Sequence, residues 1–250
     1  MSDRPDIPSA IKLQVRRACG FGCVLCGSPV FHYDHIVDYA EVLCHEADNL
    51  ALLCPTHHQD KTSKRMPREV VRGARDNPIN VRNPRTAPHR WYMTGGEAVI
   101  TLGSNKLVHS FSEGDEYFAA VKINENIIFG VRNIENQLLM DLVLQDRYGN
   151  DVFLMKDGEV TLDTGVGDYN ITGRSIQIKD KDMKLIADLR IDGNGINIIH
   201  GEFWMEPVGI VIADSQVTVY PYENSMQDCT SHSMIISDWV YPRAANDKRY

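Results

Sequence analysis

The chain has 250 residues, of which 43% are hydrophobic and 24% are charged, and its formal net charge is −8. This composition is ordinary for a soluble globular protein and excludes collagen-like and low-complexity chains. The sequence contains no run of about 18 apolar residues, which a membrane-spanning helix would need, and its first ten residues lack the apolar core of a signal peptide. We therefore expect a cytoplasmic protein with no membrane partner.

Charge is distributed unevenly along the chain. Residues 1–90 contain 13 Lys or Arg and 10 Asp or Glu, whereas residues 91–250 contain 13 Lys or Arg and 24 Asp or Glu. The basic excess is concentrated in residues 61–90, which hold nine basic and two acidic side chains. A basic segment beside an acidic domain makes nucleic acid a candidate partner for the first part of the chain only, although a solvated helix face explains the same charge run.

Helix and strand patterns alternate in the first 77 residues. Pro8 suits the first turn of a helix in which Ile11 and Val15 recur at helical spacing. Pro55 and Pro67 suit the start of two further helices in the same way. In chain order, the predicted elements are a helix over 8–18, a strand over 29–37, a loop over 38–48, a strand over 50–54, a helix from 55 and a short helix from 67 to 77.

From residue 97 onward the pattern changes to short alternating segments separated by turns, with no long helical pattern between them, which predicts an all-β domain. Residues 138–160 weakly resemble residues 184–203, since both contain an apolar strand, an acidic turn with glycine and a second strand. Two such copies indicate either hairpins stacked in a sandwich or coils of a short β-solenoid. Residues 76–96, rich in Pro and Asn, are typical of a linker.

Four metal-binding side chains stand at regular spacing. Cys23 and Cys26 are separated by two residues, as are Cys54 and His57. A gap of two residues lets both side chains of a tight turn point at one ion, and zinc takes four such ligands in a tetrahedron. The alternative is a set of buried cysteines without a metal. Cys19, Cys44 and Cys229 lack this spacing, so we expect Cys19 and Cys44 to be small core residues and Cys229 to be a free buried thiol.

A second set of polar residues lies between and beside these two pairs of metal-binding residues. It consists of Asp34, His35, Asn49 and His58. His57 and His58 are neighbours on a predicted helix, where successive side chains point about 100° apart. One ring can therefore face the zinc cluster while the other faces His35 on the strand. A carboxylate, two imidazoles and an amide suit a hard divalent cation with open water positions.

The order of these motifs is distinctive. Cys-x2-Cys at 23–26 is followed by Tyr-Asp-His-Ile at 33–36, Asp-Asn-Leu at 48–50, Leu-Leu-Cys-x2-His-His at 52–58 and then Lys-Thr at 61–62. Over roughly residues 8–66 this arrangement resembles the HNH endonucleases of the ββα-metal superfamily. His57 stands where many members have a fourth zinc-binding cysteine, and histidine is an equivalent zinc ligand.

The resemblance implies a metal-dependent endonuclease that hydrolyses phosphodiester bonds in DNA. His35 matches the general base that activates water. Asp34 and His58 match the residues that hold Mg²⁺ or Mn²⁺, and Asn49 matches the residue that braces the loop and orients the base. Structural Zn²⁺ would be held by Cys23, Cys26, Cys54 and His57.

The expected fold class is α+β, with a small zinc-stabilised ββα-metal HNH domain over 1–75, a linker over 76–96 and an all-β accessory domain over 97–250. We expect the accessory domain to serve interaction, sensing or oligomerisation, through a second copy or a protein partner. An alternative function is a zinc-stabilised nucleic-acid-binding module without turnover. The basic residues predicted to grip the DNA backbone are Lys61, Lys64, Arg65, Arg68 and Arg72.

Overall fold

A computed structural model of the chain describes residues 5–113, 117–123, 126–146, 148–205, 208–221, 223–232 and 234–236. Within these ranges the helices are α1 (Ser9–Ala18), α2 (Tyr39–Val42), α3 (Pro55–Thr62), α4 (Arg68–Asp76) and α5 (Ile79–Arg82), with a 3-10 turn at Ala47–Asn49. The strands are β1 (His32–His35), β2 (Leu50–Leu53), β3 (His89–Arg90), β4 (Glu97–Leu102), β5 (Asn105–Ser110), β6 (Tyr117–Ile123), β7 (Asn126–Ile134), β8 (Gln137–Gln145), β9 (Asp151–Lys156), β10 (Glu159–Leu162), β11 (Asp168–Thr172), β12 (Ser175–Lys179), β13 (Leu185–Asp192), β14 (Gly195–Met205), β15 (Val208–Ala213), β16 (Gln216–Tyr220), β17 (Asn224–Met226), β18 (Thr230–Ser231) and β19 (Met234–Ile236). None of the described helices is long and apolar enough to span a membrane.

The N-terminal part, residues 5–75, is built around a two-stranded antiparallel sheet in which His32 of β1 pairs with Leu53 of β2 and His35 pairs with Leu50. All four residues of β2 are buried, as expected for a short apolar strand covered on both faces. They share a small core with Val15 of α1 and Val71 of α4. The predicted mixture of helix and strand in this part is therefore confirmed.

The β part, residues 97–236, contains two antiparallel meanders. Strands β6 to β10 pair in sequence, and β3 adds to β10. Strands β11 to β14 form the second meander, which β4 and β5 extend. Strand β14 belongs to both sheets, because its first half pairs with β13 and β4 while its second half pairs with β15.

Alternating burial along these strands places one row of apolar side chains inside, as in β8, where every second residue is buried. Inward-facing residues of both sheets form one hydrophobic core, with Phe129, Phe153 and Phe203 among its largest members. The prediction of a large β region after the first part is therefore confirmed. The two weakly similar segments each contribute an antiparallel hairpin, β8–β9 and β13–β14.

Residues 76–96, the predicted linker, contact both parts. The side-chain amide of Asn80 is buried and donates to the carbonyl of Gly27 at 3.2 Å, and the amide N–H of Ala87 donates to the same carbonyl at 3.0 Å. On the other side, Thr86 and Leu162 exchange two hydrogen bonds of 3.0 Å. This segment therefore holds the two parts together through backbone contacts on each side.

Helix α1 also packs directly against β11. Nε and Nη2 of Arg16 donate to the two carboxylate oxygens of Asp168, both at 2.7 Å, and Nη1 donates to the hydroxyl of Tyr33 at 2.6 Å. The Arg16 and Asp168 side chains are only 11% and 10% exposed. Beside this ion pair the Tyr169 ring lies 5.4 Å from that of Phe21. A paired, planar guanidinium and aromatic packing therefore join the N-terminal and β parts.

Replacing Tyr169 with phenylalanine is expected to leave the free energy of unfolding unchanged or to raise it by up to about 1 kcal/mol, because the buried hydroxyl has no hydrogen-bond partner among the described residues. Replacing it with alanine is expected to cost about 3–5 kcal/mol, since a fully buried ring is lost from the interface. Urea unfolding of both variants measures the difference. Equal losses would mean that the hydroxyl, rather than the ring, stabilises this interface.

Candidate functional site

The four predicted zinc ligands converge on one point. Cys23 and Cys26 lie in the turn after α1, while Cys54 directly precedes α3 and His57 lies in the first turn of that helix. The ligand atoms all lie within 4.8 Å of one another. Nδ1 of His57 is 3.3 Å from Sγ of Cys23 and 3.3 Å from Sγ of Cys54, and the sulfurs of Cys26 and Cys54 are 3.8 Å apart.

These separations fit tetrahedral zinc. Ligands held about 2.0–2.3 Å from a Zn²⁺ ion lie about 3.3–3.8 Å from one another in a tetrahedron. Three sulfurs and one imidazole are also the donor set that zinc prefers, so the cluster is compatible with structural Zn²⁺. A closed set of four protein ligands leaves no position for a substrate, which is typical of a structural site.

One hydrogen bond between the thiols of Cys23 and Cys26 moves their two pKa values in opposite directions, lowering that of Cys23 and raising that of Cys26. A hydrogen bond from Cys26 is the main reason why the pKa of Cys23 falls far below its usual range, while burial acts in the opposite direction. By contrast, burial raises the pKa of Cys19 to about 11, so this residue stays a neutral thiol in the core. Cys44 and Cys229 are exposed. The prediction that these three cysteines lie outside the cluster agrees with their placement, and Cys19 is in the core as expected. The predicted burial of Cys44 and Cys229 is wrong, since both lie in exposed loops.

His58, the neighbour of His57, points to a different group, as the 100° step between helical residues requires. Its Nε2 lies 3.4 Å from Oδ1 of Asp34. The imidazole is 37% exposed, whereas Asp34 is buried. The exposed ring of His32, on the same face of β1, lies 5.3 Å from the His58 ring. A buried carboxylate oxygen and the nitrogen of a partly exposed imidazole therefore lie side by side, close enough to bind one cation.

Lys61, one helical turn after His58, contacts the other oxygen of Asp34. Its ammonium lies 3.0 Å from Oδ2 of Asp34 and 3.2 Å from Oδ1 of Asp38, and it donates to the backbone carbonyl of His35 at 2.6 Å. The Lys61 side chain is only 9% exposed. We predict this lysine as a DNA-backbone contact from the sequence, but its charge is engaged inside the site. The ammonium contacts Asp34 and, through the carbonyl of His35, fixes the end of β1.

His35 lies at the end of β1 and is only 4% exposed. Its Nε2 is 3.1 Å from Nδ1 of His45, and its ring meets the edge of the Tyr39 ring at 5.4 Å. Asn49 braces the same loop from the other side. Its Oδ1 accepts from the amide N–H of Val37, and its Nδ2 donates to the Val37 carbonyl, both at 2.9 Å. This pair of hydrogen bonds fixes the backbone two residues after His35.

The remaining basic residues surround the site at its outer edge. Arg65 pairs with Asp60 at 2.8 Å, and Arg68 lies 3.5 Å from Glu41. Arg72 donates to the backbone carbonyl of Asp48 at 2.8 Å and so supports the turn that carries Asn49. Lys64, Arg65 and Arg68 are exposed and Arg72 is partly exposed, and their contact with a DNA backbone stays a prediction.

Two contacts were missed by the sequence reasoning. The contact between His45 and His35 joins residues ten positions apart across a predicted loop, and no pattern marks it. Lys61 did carry a signal, since its position three residues after His58 places both side chains on one face of α3. That spacing indicates a shared contact with Asp34.

Residues 23–64 match the family model described as HNH endonuclease. Comparison with curated proteins and with solved structures gives no match. The matched segment contains the four predicted zinc ligands together with Asp34, His35, Asn49 and His58, and it supports a nuclease-family function in general. The N-terminal part therefore contains a segment, residues 23–64, that matches the HNH endonuclease family, which confirms the resemblance predicted from the sequence.

Proposed function

We propose that the chain is a metal-dependent endonuclease that hydrolyses phosphodiester bonds in DNA, with Asp34 and His58 holding Mg²⁺ or Mn²⁺. The observation that carries this proposal is the carboxylate oxygen of Asp34 lying 3.4 Å from the imidazole nitrogen of His58, beside a buried histidine in the HNH segment. Two protein ligands leave positions for water and a phosphate oxygen. When bound, such a cation neutralises charge on the scissile phosphate and the leaving 3′ oxygen.

His35 supplies the base in this proposal. A neutral imidazole takes a proton from water near neutral pH, which turns the water into a nucleophile for the phosphorus. The fixed backbone at His35 and just after it supports that role, because Lys61 holds the carbonyl of His35 and Asn49 holds Val37. A base with a fixed direction is ready to act without reorganisation.

The alternative function is a zinc-stabilised module that binds nucleic acid without cleaving it. Asp34 argues against it. A carboxylate at the centre of a phosphate-binding surface repels the phosphate unless a cation lies between them. Lys61 contacts Oδ2 of this carboxylate, while Oδ1 lies beside His58, an arrangement that serves cation binding and does not serve simple DNA binding.

Supercoiled plasmid separates the two functions. The full chain with bound zinc is expected to convert plasmid to nicked or linear DNA when Mg²⁺ or Mn²⁺ is added, and to bind plasmid without cleavage when neither is present. Zinc content is measured before and after, so that loss of the structural metal is not mistaken for loss of the catalytic cation. Binding in every condition with no cleavage would support the module without turnover.

Asp34→Asn and His58→Asn are expected to weaken binding of Mn²⁺ at least about tenfold, because each removes one of the two proposed ligands. Calorimetric titration of Mn²⁺ into the zinc-loaded full chain measures this without any cleavage assay. His200→Asn, on β14 in the β part, is the matched control and should bind Mn²⁺ as the unchanged chain does. Equal Mn²⁺ affinity in all three variants would remove Asp34 and His58 as ligands.

For the β part we infer a closed β structure, since its strands pair into one closed arrangement and antiparallel hairpins from both meanders share one core, whereas a solenoid would stack parallel strands. Residues 91–250 hold 13 basic and 24 acidic side chains, so this part is poorly suited to bind DNA. We propose that it serves interaction or oligomerisation, through a protein partner or a second copy of the chain, and that it also supports the N-terminal part through the Arg16–Asp168 pair.

A further inference from the structure

We infer that His45 is a positioning residue that fixes the tautomer and direction of His35; the consequence for catalysis rests on the proposed function. His45 lies in the loop after α2, ten residues beyond His35. Nδ1 of His45 is 3.1 Å from Nε2 of His35, and Nε2 of His45 is 2.8 Å from the backbone carbonyl oxygen of Pro5. Two hydrogen-bond contacts thus connect Pro5 to His45 and His45 to His35.

The Pro5 carbonyl determines which group donates in each of these two hydrogen bonds. A carbonyl oxygen only accepts hydrogen bonds, so Nε2 of His45 must carry the proton. A neutral imidazole carries one ring proton, so Nδ1 of His45 holds a lone pair and accepts from His35. Nε2 of His35 is then the protonated nitrogen, and the basic lone pair of His35 lies on Nδ1. The contact therefore decides which nitrogen of His35 takes the proton from water.

Ring packing with Tyr39 also holds the two histidine side chains in place. The Tyr39 ring stacks on His45 at a centroid distance of 4.9 Å and an interplanar angle of 27°. It also meets the edge of His35 at 5.4 Å. The His35 and His45 rings are 5.1 Å apart. Tyr39 therefore restricts rotation of both imidazoles, and the hydrogen bond acts within a fixed group of rings.

Two substitutions separate positioning from simple loop support. Asparagine carries its oxygen on the γ-carbon, where the Nδ1 atom of histidine is attached, so His45→Asn can still accept from His35. Glutamine reaches the position of Nε2 instead, so His45→Gln can contact Pro5 but offers no acceptor at the Nδ1 position. A residue that only supported the loop would tolerate glutamine at least as well as asparagine.

In plasmid cleavage by the full chain, we expect kcat to fall about tenfold to a hundredfold in His45→Gln and His45→Ala, with His45→Asn within about threefold of the unchanged chain and KM for DNA unchanged throughout. Cys44→Ser, an exposed neighbour in the same loop, is the control and should retain full activity. Zinc content and melting temperature verify that each variant is folded.

Long-range ¹H–¹⁵N spectra of histidine-labelled protein test the same inference without cleavage. His35 is expected to be protonated at Nε2 in the unchanged chain and in His45→Asn, and to lose that preference in His45→Gln. Equal kcat in all four proteins, or an unchanged His35 tautomer in His45→Gln, would overturn the inference. Cleavage failing in the unchanged chain while the tautomer result holds would overturn the proposed function alone.

Discussion

Replacing His35 with alanine is expected to reduce the rate of plasmid cleavage by about 10²- to 10⁴-fold, which is the usual contribution of a positioned general base. DNA affinity should stay unchanged, because the base acts on water and does not hold the duplex. Zinc content should also stay unchanged, since His35 is not among the four ligand atoms of the cluster. The backbone carbonyl that accepts a hydrogen bond from Lys61 remains in the alanine variant, so the contact that fixes the end of β1 is retained.

Three measurements on one preparation test this expectation. Single-turnover cleavage gives the rate, a binding titration in the absence of Mg²⁺ and Mn²⁺ gives the DNA affinity, and elemental analysis gives the zinc content. His109→Ala, in β5 of the β part, is the matched control for loss of an imidazole and should cleave normally. Cleavage by His35→Ala at the unchanged rate would show that another group activates the water.

Replacing Cys23 with serine is expected to release zinc and to unfold most of the N-terminal part. Zinc in small domains supplies about 10–16 kcal/mol of apparent binding free energy, and this energy is also folding free energy. The N-terminal part has only a small core around β2, so it cannot compensate for a loss of this size. Hydrogen exchange is the direct measurement, since it reports protection separately for residues 5–75 and for the β part.

The β part should keep its protected amides in Cys23→Ser, because its core consists almost wholly of its own residues. Cys44→Ser and Cys229→Ser are the controls for loss of a thiol, since both cysteines are exposed. They are expected to retain about one zinc per chain and normal exchange. Full zinc content in Cys23→Ser would mean that the cluster does not bind the metal as the ligand distances indicate.

Local signals account for most of what could be predicted in the N-terminal part. Pro55 occupies the first turn of α3, and α1 begins at Ser9, one residue later than predicted. The two-residue gaps bring Cys23 to Cys26 and Cys54 to His57 because such turns are set by neighbouring residues alone. The alternating burial of β8 follows from the strand period in the same way.

Contacts between distant residues could not be predicted. The loop over 38–48 contains the four-residue helix α2, which is too short to show an amphipathic period, and this helix places Tyr39 against His35 and His45. The Arg16–Asp168 pair joins residues 152 positions apart. Such contacts depend on how the finished parts pack, and one sequence contains no periodic signal for them.

The separation of these residues along the chain has a consequence for synthesis on the ribosome. Cys23 and His57 are 34 residues apart, whereas Arg16 and Asp168 are 152 apart. Short loops close at a lower entropic cost, so the segment that holds zinc can fold as soon as its own residues emerge. Tyr169 follows His57 only after roughly 6 to 20 seconds, at a translation rate of about 5–20 residues per second. Phe21 and Phe31 are the rings that pack near Tyr169 in the folded protein. During that interval we expect the nascent chain to expose them to chaperones and to other nascent chains.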